Sequence, residues 1–351
     1  MAKHEHDLVL LQHAYYVGEL EVGRRAAERL LAHELPADVE RQVRANRAFY
    51  TPTLSELGPV EFRLIDIKPA YPGWSLFNPT LLVHGGKLFG LVRSSNYKMQ
   101  GMNYIMPPED KGTIRTRNIL VEYDDDLRIN SATTLQDPDY SRTTFPVDGL
   151  EDCRLYSRGD DFYVSATVRN YAPYDGRCRI GTARIDRKQN ALVDLEVLEA
   201  PAQQHEKNWM PVIGQDAWLY TCGAAGKTVI ARREAKSWKL LHLGPAPQIT
   251  RSFRGGTQLV PFNGGYLCAI HEVSFSDNNR AYEHRFVWFD DQLRIRKISP
   301  PFYFRNKRHI EFAAGLAVVG DQIILSFGYY DREAWLAILN SAHVFARLEG
   351  V

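Results

Sequence analysis

Phe312-Ala-Ala-Gly-Leu-Ala-Val318, then Gly320-Asp321, then Gln322-Ile-Ile-Leu-Ser-Phe-Gly328 is an apolar run, a turn signal and a second apolar run. A Gly-Asp pair between two strand-forming runs folds the chain back on itself, so the stretch reads as a β-hairpin. Four earlier stretches follow the same plan. Asn78-Pro-Thr-Leu-Leu-Val83 turns at His84-Gly-Gly86 into Lys87-Leu-Phe-Gly-Leu-Val-Arg93. Glu151-Asp-Cys-Arg-Leu-Tyr156 turns at Arg158-Gly-Asp-Asp161 into Phe162-Tyr-Val-Ser-Ala-Thr-Val-Arg169. Lys207-Asn-Trp-Met-Pro-Val212 turns at Gly214-Gln-Asp216 into Ala217-Trp-Leu-Tyr-Thr-Cys222, and Gly255-Gly-Thr-Gln-Leu-Val260 turns at Asn263-Gly-Gly265 into Tyr266-Leu-Cys-Ala-Ile-His271. The turns recur at roughly 50 to 75 residues, the length of a propeller blade with long connections. Further strand-like runs, such as 119–123 and 286–289, lie between them. Four strands in each of five repeats predict a mainly β chain folded as a five-bladed β-propeller. The alternative is a β-sandwich, whose strands would be spaced more closely and evenly.

The first 52 residues carry a different period. Leu8, Leu10, Leu11, Ala14 and Tyr15 recur at helical spacing, and Val22, Ala26, Ala27, Leu30 and Leu31 share one helical face. A third helix is expected from 38 to 49 with Asp38 as its N-terminal cap. Gly18 and Pro36 break the run. Two or three antiparallel helices over 1–52, followed by a propeller over 53–351, are therefore expected. The helical part resembles a tetratricopeptide-type hairpin, and two uses are open to it: packing on the propeller, or standing as the stump of a longer region that binds a protein partner.

Charge and composition restrict the function. The 43 basic and 42 acidic residues nearly cancel, so nothing suggests nucleic-acid binding. The 18 Tyr and 6 Trp suit a β core and a sugar site. Four cysteines stand apart without a CxxC pair, so buried thiols are expected rather than a zinc or redox motif. No cofactor and no metal are expected. The chain begins without an apolar signal core, and no apolar run approaches the ~18 residues of a membrane span, so a cytoplasmic location is expected.

In a propeller the inner strands open at one end into a funnel. The residues just before or at the start of the first strand of each hairpin are polar: Asn78, Glu151 with Asp152, Lys207 with Asn208, Arg254 (with Arg251), and Glu311. The second strands end at Arg93, Arg169, His271 and Tyr329-Tyr330-Asp331. A ring of carboxylates, amides and cations at one mouth suits a polyhydroxylated ligand, whose hydroxyls each donate and accept.

The ordered motifs resemble the β-mannoside phosphorylase and hydrolase family and its β-1,2-mannosyltransferase relatives over about residues 75 to 340. Gly149-Leu-Glu151-Asp152-Cys153-Arg154 is similar to that family's Glu-Asp-Pro-Arg segment, with Cys153 in place of proline. The resemblance implies that Asp152 is the catalytic acid. It implies that Lys207 and Asn208 help hold acceptor phosphate and sugar, that Tyr282 touches phosphate, and that Arg93 and Asp331 bind the sugar being transferred. The strand ending at His271 also matches. Two features depart from the pattern. Where the family carries a His-Arg segment, this chain has Tyr220-Thr-Cys-Gly223, and Arg251, Arg254, His284 and Arg285 are additional cations. In retaining fructan- and arabinan-cleaving propellers a nucleophilic carboxylate stands on the first blade; here that place is Phe77-Asn78-Pro79.

The expected chemistry is single-displacement glycosyl transfer with inversion on a mannose-like sugar, by a glycosyltransferase or phosphorylase. Asp152 donates or takes the proton, with Glu151 and Arg154 tuning it. Arg93, Asn78, Glu151, Arg154, Asn208, His271, Glu311 and Asp331 line the sugar site. Lys207, Arg254, Tyr282 and Arg285 hold an anion. The partner is an oligosaccharide, sugar phosphate or nucleotide sugar. Two alternatives stay open: inverting hydrolysis, with Glu311 or Glu272 holding water, and a non-catalytic glycan-binding propeller. The pose of Asp152 discriminates, since an axis-facing carboxylate favours an enzyme and one buried against Arg154 alone favours a structural pair.

Overall fold

The computed structural model describes residues 4–139, 145–171, 176–201, 204–234, 237–276 and 279–351. Each of the five hairpins forms the two inner strands of an antiparallel blade. Blade 1 runs outward from Ser75–His84 through Lys87–Ser95 and Ile114–Tyr123 to Ile129–Thr134. Blade 2 comprises Glu151–Arg158, Asp161–Val168, Arg179–Asp186 and Ala191–Val197. Blade 3 comprises Met210–Pro211, Ala217–Thr221, Lys227–Glu234 and Ser237–Pro245. In blade 4 the inner strand is broken into Arg254–Gly255 and Val260–Phe262, followed by Gly265–Ser276, Asn279–Phe289 and Ile295–Ile298, with Glu349–Gly350 added outside. Blade 5 comprises Glu311–Val319, Gln322–Tyr329 and Glu333–Asn340, and its outer strand is Glu61–Leu64 from the start of the propeller. That strand closes the ring, because the first blade cannot leave the last without breaking its ladder.

Alternation along the strands explains the core. Leu81, Leu155, Leu267, Leu316 and Leu325 are fully buried, as are Phe77, Phe289 and Phe327. Below the mouth the axis is pinned by one polar side chain. Gln258, fully buried, donates from Nε2 to the carbonyls of Leu81 and Leu155, and its Oε1 accepts from the Leu316 amide at 3.3 Å. Four blades are tied together at a point where backbone groups would otherwise lack partners.

Helices α1 (Glu5–His13), α2 (Leu20–Leu31) and α3 (Ala37–Tyr50) precede the ring. Gly18, in the left-handed region at φ 79°, ends the first helical stretch, as only glycine does freely. Asp38 is not the cap of α3: Pro36 holds that position and Asp38 sits in the first turn, where its charge favours the positive end of the helix. Ala26, Ala27, Leu30, Leu31 and Val43 share a core cluster with Ile270, Val287 and Phe289 of blade 4. Ion pairs weld the same junction. Arg47, 1% exposed, binds Glu272 at 3.0 Å and Glu283 at 2.7 Å, Arg44 binds Glu272 at 2.5 Å, and Glu28 binds Arg285 at 2.7 Å. Of the two uses open to this segment, the described residues show the first: its inner face is spent on the propeller. No helix among the described residues is long and apolar enough to cross a membrane.

Candidate functional site

The inner strands share a local device. Asn78, Asp152 and Asn208 occupy equivalent places on blades 1, 2 and 3, and all three are left-handed, with φ of 47°, 48° and 60°. The ladders of blades 1 and 2 slip register there, between Phe77 and Thr80 and between Ser165 and Thr167. Each bulge turns a side chain out of the pleat toward the mouth. Left-handed backbone on a non-glycine residue costs about 1–3 kcal/mol. A threefold recurrence at one level of the funnel marks it as a built feature. Gly328 makes room for it: a Cβ there would collide with the Asn78 side-chain oxygen and lie 2.6 Å from its backbone nitrogen.

Asp152 lies at the centre of this level. Its Oδ1 accepts from Asn78 Nδ2 at 2.8 Å and from Arg93 at 2.8 Å. The same Arg93 guanidinium donates to Glu151 at 2.6 Å and to Thr116 Oγ1 at 3.2 Å, and it stacks on the Phe77 ring at 4.9 Å. Arg154 takes another course. It donates to the backbone carbonyls of Asp152 and Gly256 and to Asn208 Oδ1, at 2.5, 2.9 and 3.1 Å. It therefore braces the bulge and does not cap the carboxylate, so Asp152 is not one half of an Asp–Arg154 pair. Burial alone would raise the Asp152 carboxyl. The charges of Arg93 and Arg154 and the bonds from Asn78 and Arg93 outweigh it and hold the group below its usual value.

Asp331, also left-handed at φ 51°, faces this group from blade 5. Its Oδ2 accepts from the Tyr97 hydroxyl at 2.9 Å. Burial pushes its carboxyl up, against the pull of Arg93 and with the help of Asp152. The funnel thus holds two carboxyl groups whose environments drive them apart, the pattern of divided acid–base roles. Tyr282, mostly buried, stands within electrostatic reach of both, and its ring lies 5.2 Å from that of His271. His271 is kept neutral: burial, then Arg254 and Arg154, push it down to about 3.

The opposite wall is cationic. Lys207 and Arg254 are exposed, and among the described residues neither has an ion-pair partner. They line one hollow of about 280 Å³ with Asn208, His205 and Tyr220. His205 is pushed down by burial and then by Arg169, Lys207, Arg177 and Arg179, so cations crowd this side of the mouth. Its Nδ1 accepts from the Cys178 amide at 3.0 Å.

Three expectations need correction. Arg285 holds no anion at the mouth: it is 1% exposed and bound by Glu28, Glu272 and the Ser299 carbonyl. Glu272 belongs to the helix junction and holds no water in the funnel. Glu311 is fully buried and spends both carboxylate oxygens on the amides of Phe304, Arg305 and Asn306 at 2.6, 2.9 and 3.1 Å. It braces that loop and does not line a sugar site; burial pushes its carboxyl up to about 7 against those amides. His284 is fully buried among Phe302 and Phe304, and Arg251 faces Glu34 at 3.6 Å. Sequence reasoning missed Tyr97, His205 and Arg280, the last donating to Tyr104 Oη at 3.1 Å across the mouth. They lie on loops and hairpin ends outside the repeat, so no periodicity could single them out. Among the described residues no group of three or more His, Cys, Asp or Glu is arranged to hold a metal ion.

No protein-family model matches the chain, and no curated protein matches it. Solved structures do resemble it. A β-1,2-mannobiose phosphorylase from Listeria innocua, in complex with β-1,2-mannobiose, is 16% identical with a TM-score of 0.55, covering 82% of this chain and 96% of that one. A structure described with the GH130 family of mannoside phosphorylases, and with glycoside hydrolases that target β-1,2 mannosidic linkages in Candida mannan, is 15% identical with a TM-score of 0.55 over 83% and 97%. A glycosyl hydrolase from Bacteroides ovatus is 13% identical with a TM-score of 0.53 over 83% and 97%. At these identities what the chain shares with them is the fold, a five-bladed β-propeller spanned almost from end to end.

Proposed function

We propose that this protein is a carbohydrate-active enzyme that transfers a mannose-like glycosyl unit with inversion, as a phosphorylase or glycosyltransferase. The observation that carries this reading is the pose of Asp152. Its carboxylate is turned into the funnel by a left-handed bulge, its side chain is 25% exposed, and Oδ1 is anchored by Asn78 and Arg93. Among the described residues Oδ2 has no partner of its own, which leaves it for a substrate hydroxyl. The fold shared with a mannobiose phosphorylase makes a β-mannoside the first substrate to try.

In the synthetic direction the acceptor hydroxyl gives its proton to Asp152 as its oxygen attacks the anomeric carbon. The bond from that carbon to the departing phosphate oxygen breaks on the opposite face. In the phosphorolytic direction the same steps reverse, and Asp152 returns the proton to the leaving oxygen. The depressed Asp152 carboxyl suits it to the base role in the resting protein. Asn208, Tyr282 and Asp331 would orient the sugar, and Lys207 and Arg254 would hold phosphate or diphosphate by charge-assisted bonds. With Glu311 and Glu272 both committed elsewhere, an anion is better provided for here than a hydrolytic water.

Asp152→Asn tests the reading, because it keeps shape and removes the titrating group. Turnover of β-1,2-mannobiose with phosphate should fall by about 100-fold or more, while the melting temperature changes little. A variant that stays fully active refutes the assignment. A parent protein that binds the sugar without turnover leaves a glycan-binding module.

A further inference from the structure

Tyr71-Pro72-Gly73-Trp74 lies just ahead of the inner strand of blade 1. The Trp74 amide bonds the Tyr71 carbonyl at 3.2 Å, and Gly73 has φ 82°. Proline followed by a left-handed glycine is the signature of a type II turn, which fixes both flanking aromatics. Their rings lie 4.7 Å apart at 52°, and Tyr71 is 50% exposed. Trp74 is half-buried beside it, and the Tyr71 ring on this stiff turn leaves half its surface open to solvent.

The rings form one wall of a hollow of about 410 Å³, whose other walls include Glu109, Asp110, Arg115 and Arg117. Asp110 is held by Arg115 at 2.9 Å and by Asn96 at 2.8 Å. Arg117 binds Asp137 at 2.7 Å and Asp148 at 3.4 Å. The Arg115 side chain stays 43% exposed, so donors remain for a ligand. This hollow opens on the funnel side. Arg117 pairs in register with Ser94, next to Arg93, and the Ala70 amide bonds Ser94 Oγ at 3.1 Å. From Arg93 to the strand end at Ser95 is two residues, about 7 Å at ~3.3 Å each, and Asn96 just beyond it binds Asp110.

We infer that this shelf is a second sugar-binding subsite, which takes the distal residues of an oligosaccharide whose reacting end sits at Asp152, resting on the glycan reading of the funnel. Aromatic faces cover the apolar faces of a sugar ring, and paired charged groups offer the mixed donors and acceptors its hydroxyls need. A protein partner would ask for an apolar patch of several hundred Å², far more than two rings. The turn holds the rings in place before binding, so little side-chain freedom is lost when sugar arrives.

The test is calorimetric titration of the protein with β-1,2-mannobiose and with the corresponding tetraose. Binding of the tetraose should be roughly tenfold tighter, the scale of one ring contact. Trp74→Ala should erase the gain from chain length, and Tyr71→Ala should reduce it. The indole N–H signal of Trp74, assigned by its loss in Trp74→Ala, should shift with tetraose and not with mannobiose. A tetraose advantage that survives Trp74→Ala overturns the inference, as does an indole signal that never moves. If the signal moves while the protein turns over no glycoside, the shelf stands and the catalytic reading falls. Turnover with an unmoved signal does the reverse.

Discussion

Replacing Arg93 with methionine should both destabilise the propeller and retune Asp152. The guanidinium is 5% exposed and holds two carboxylates that are 16% and 25% exposed, Glu151 and Asp152. Methionine keeps the stem against Phe77 and leaves two neighbouring anions without their cation. Breaking a buried pair costs about 3–5 kcal/mol. The carboxylates here are partly wet, which places the loss near the bottom of that range, about 3 kcal/mol. A chain of 351 residues unfolding as one unit carries an entropy of about 0.7 kcal/mol per degree, so the melting temperature should fall by about 4 °C. The pH dependence has a definite sign. The folded Asp152 carboxyl lies below its unfolded value. Its contribution is therefore complete above about pH 4 and is lost as pH falls through the folded value. The gap between parent and variant should be widest at neutral pH and narrow in acid. In the variant Asp152 should titrate higher than in the parent, because the largest charge that lowers it is gone. Scanning calorimetry from pH 3.5 to 7 and carbon NMR of the carboxyl groups read both effects. An Asp152 titration that stays put, or a gap that does not change with pH, refutes the account.

Two more substitutions probe what surrounds the site. Arg47→Met should cost about 3–5 kcal/mol, because Glu283 is left charged without its cation in a dry junction while Glu272 keeps Arg44 and Arg285; hydrogen exchange in α3 should rise well before exchange in blade 2. Gly328→Ala should lower turnover at least tenfold and lower the melting temperature as well, since the new Cβ displaces the Asn78 amide that orients Asp152 and also meets the Asn78 backbone nitrogen at 2.6 Å. A destabilised variant that keeps the parent's turnover rate below its melting temperature would show instead that Gly328 serves packing alone.

The repeat was legible because it is local. Each hairpin such as Phe312 to Gly328 announces itself by an alternating apolar pattern and a Gly-centred turn, and neither depends on the remainder of the chain. The mouth residues Asn78, Asp152 and Asn208 were legible for the same reason: they recur at one place in that repeat. Glu311 and Arg285 read like them and serve otherwise, because a side chain's partners come from segments distant in sequence. Glu311 found three amides of the 304–306 loop, and Arg285 found Glu28 from a helix 257 residues earlier. Period and turn chemistry thus determined the blades, the helical front and the level of the funnel. Only the closed ring decided which charges neutralise one another in a dry junction and which stay open to a ligand, since that depends on burial and on distances across the axis.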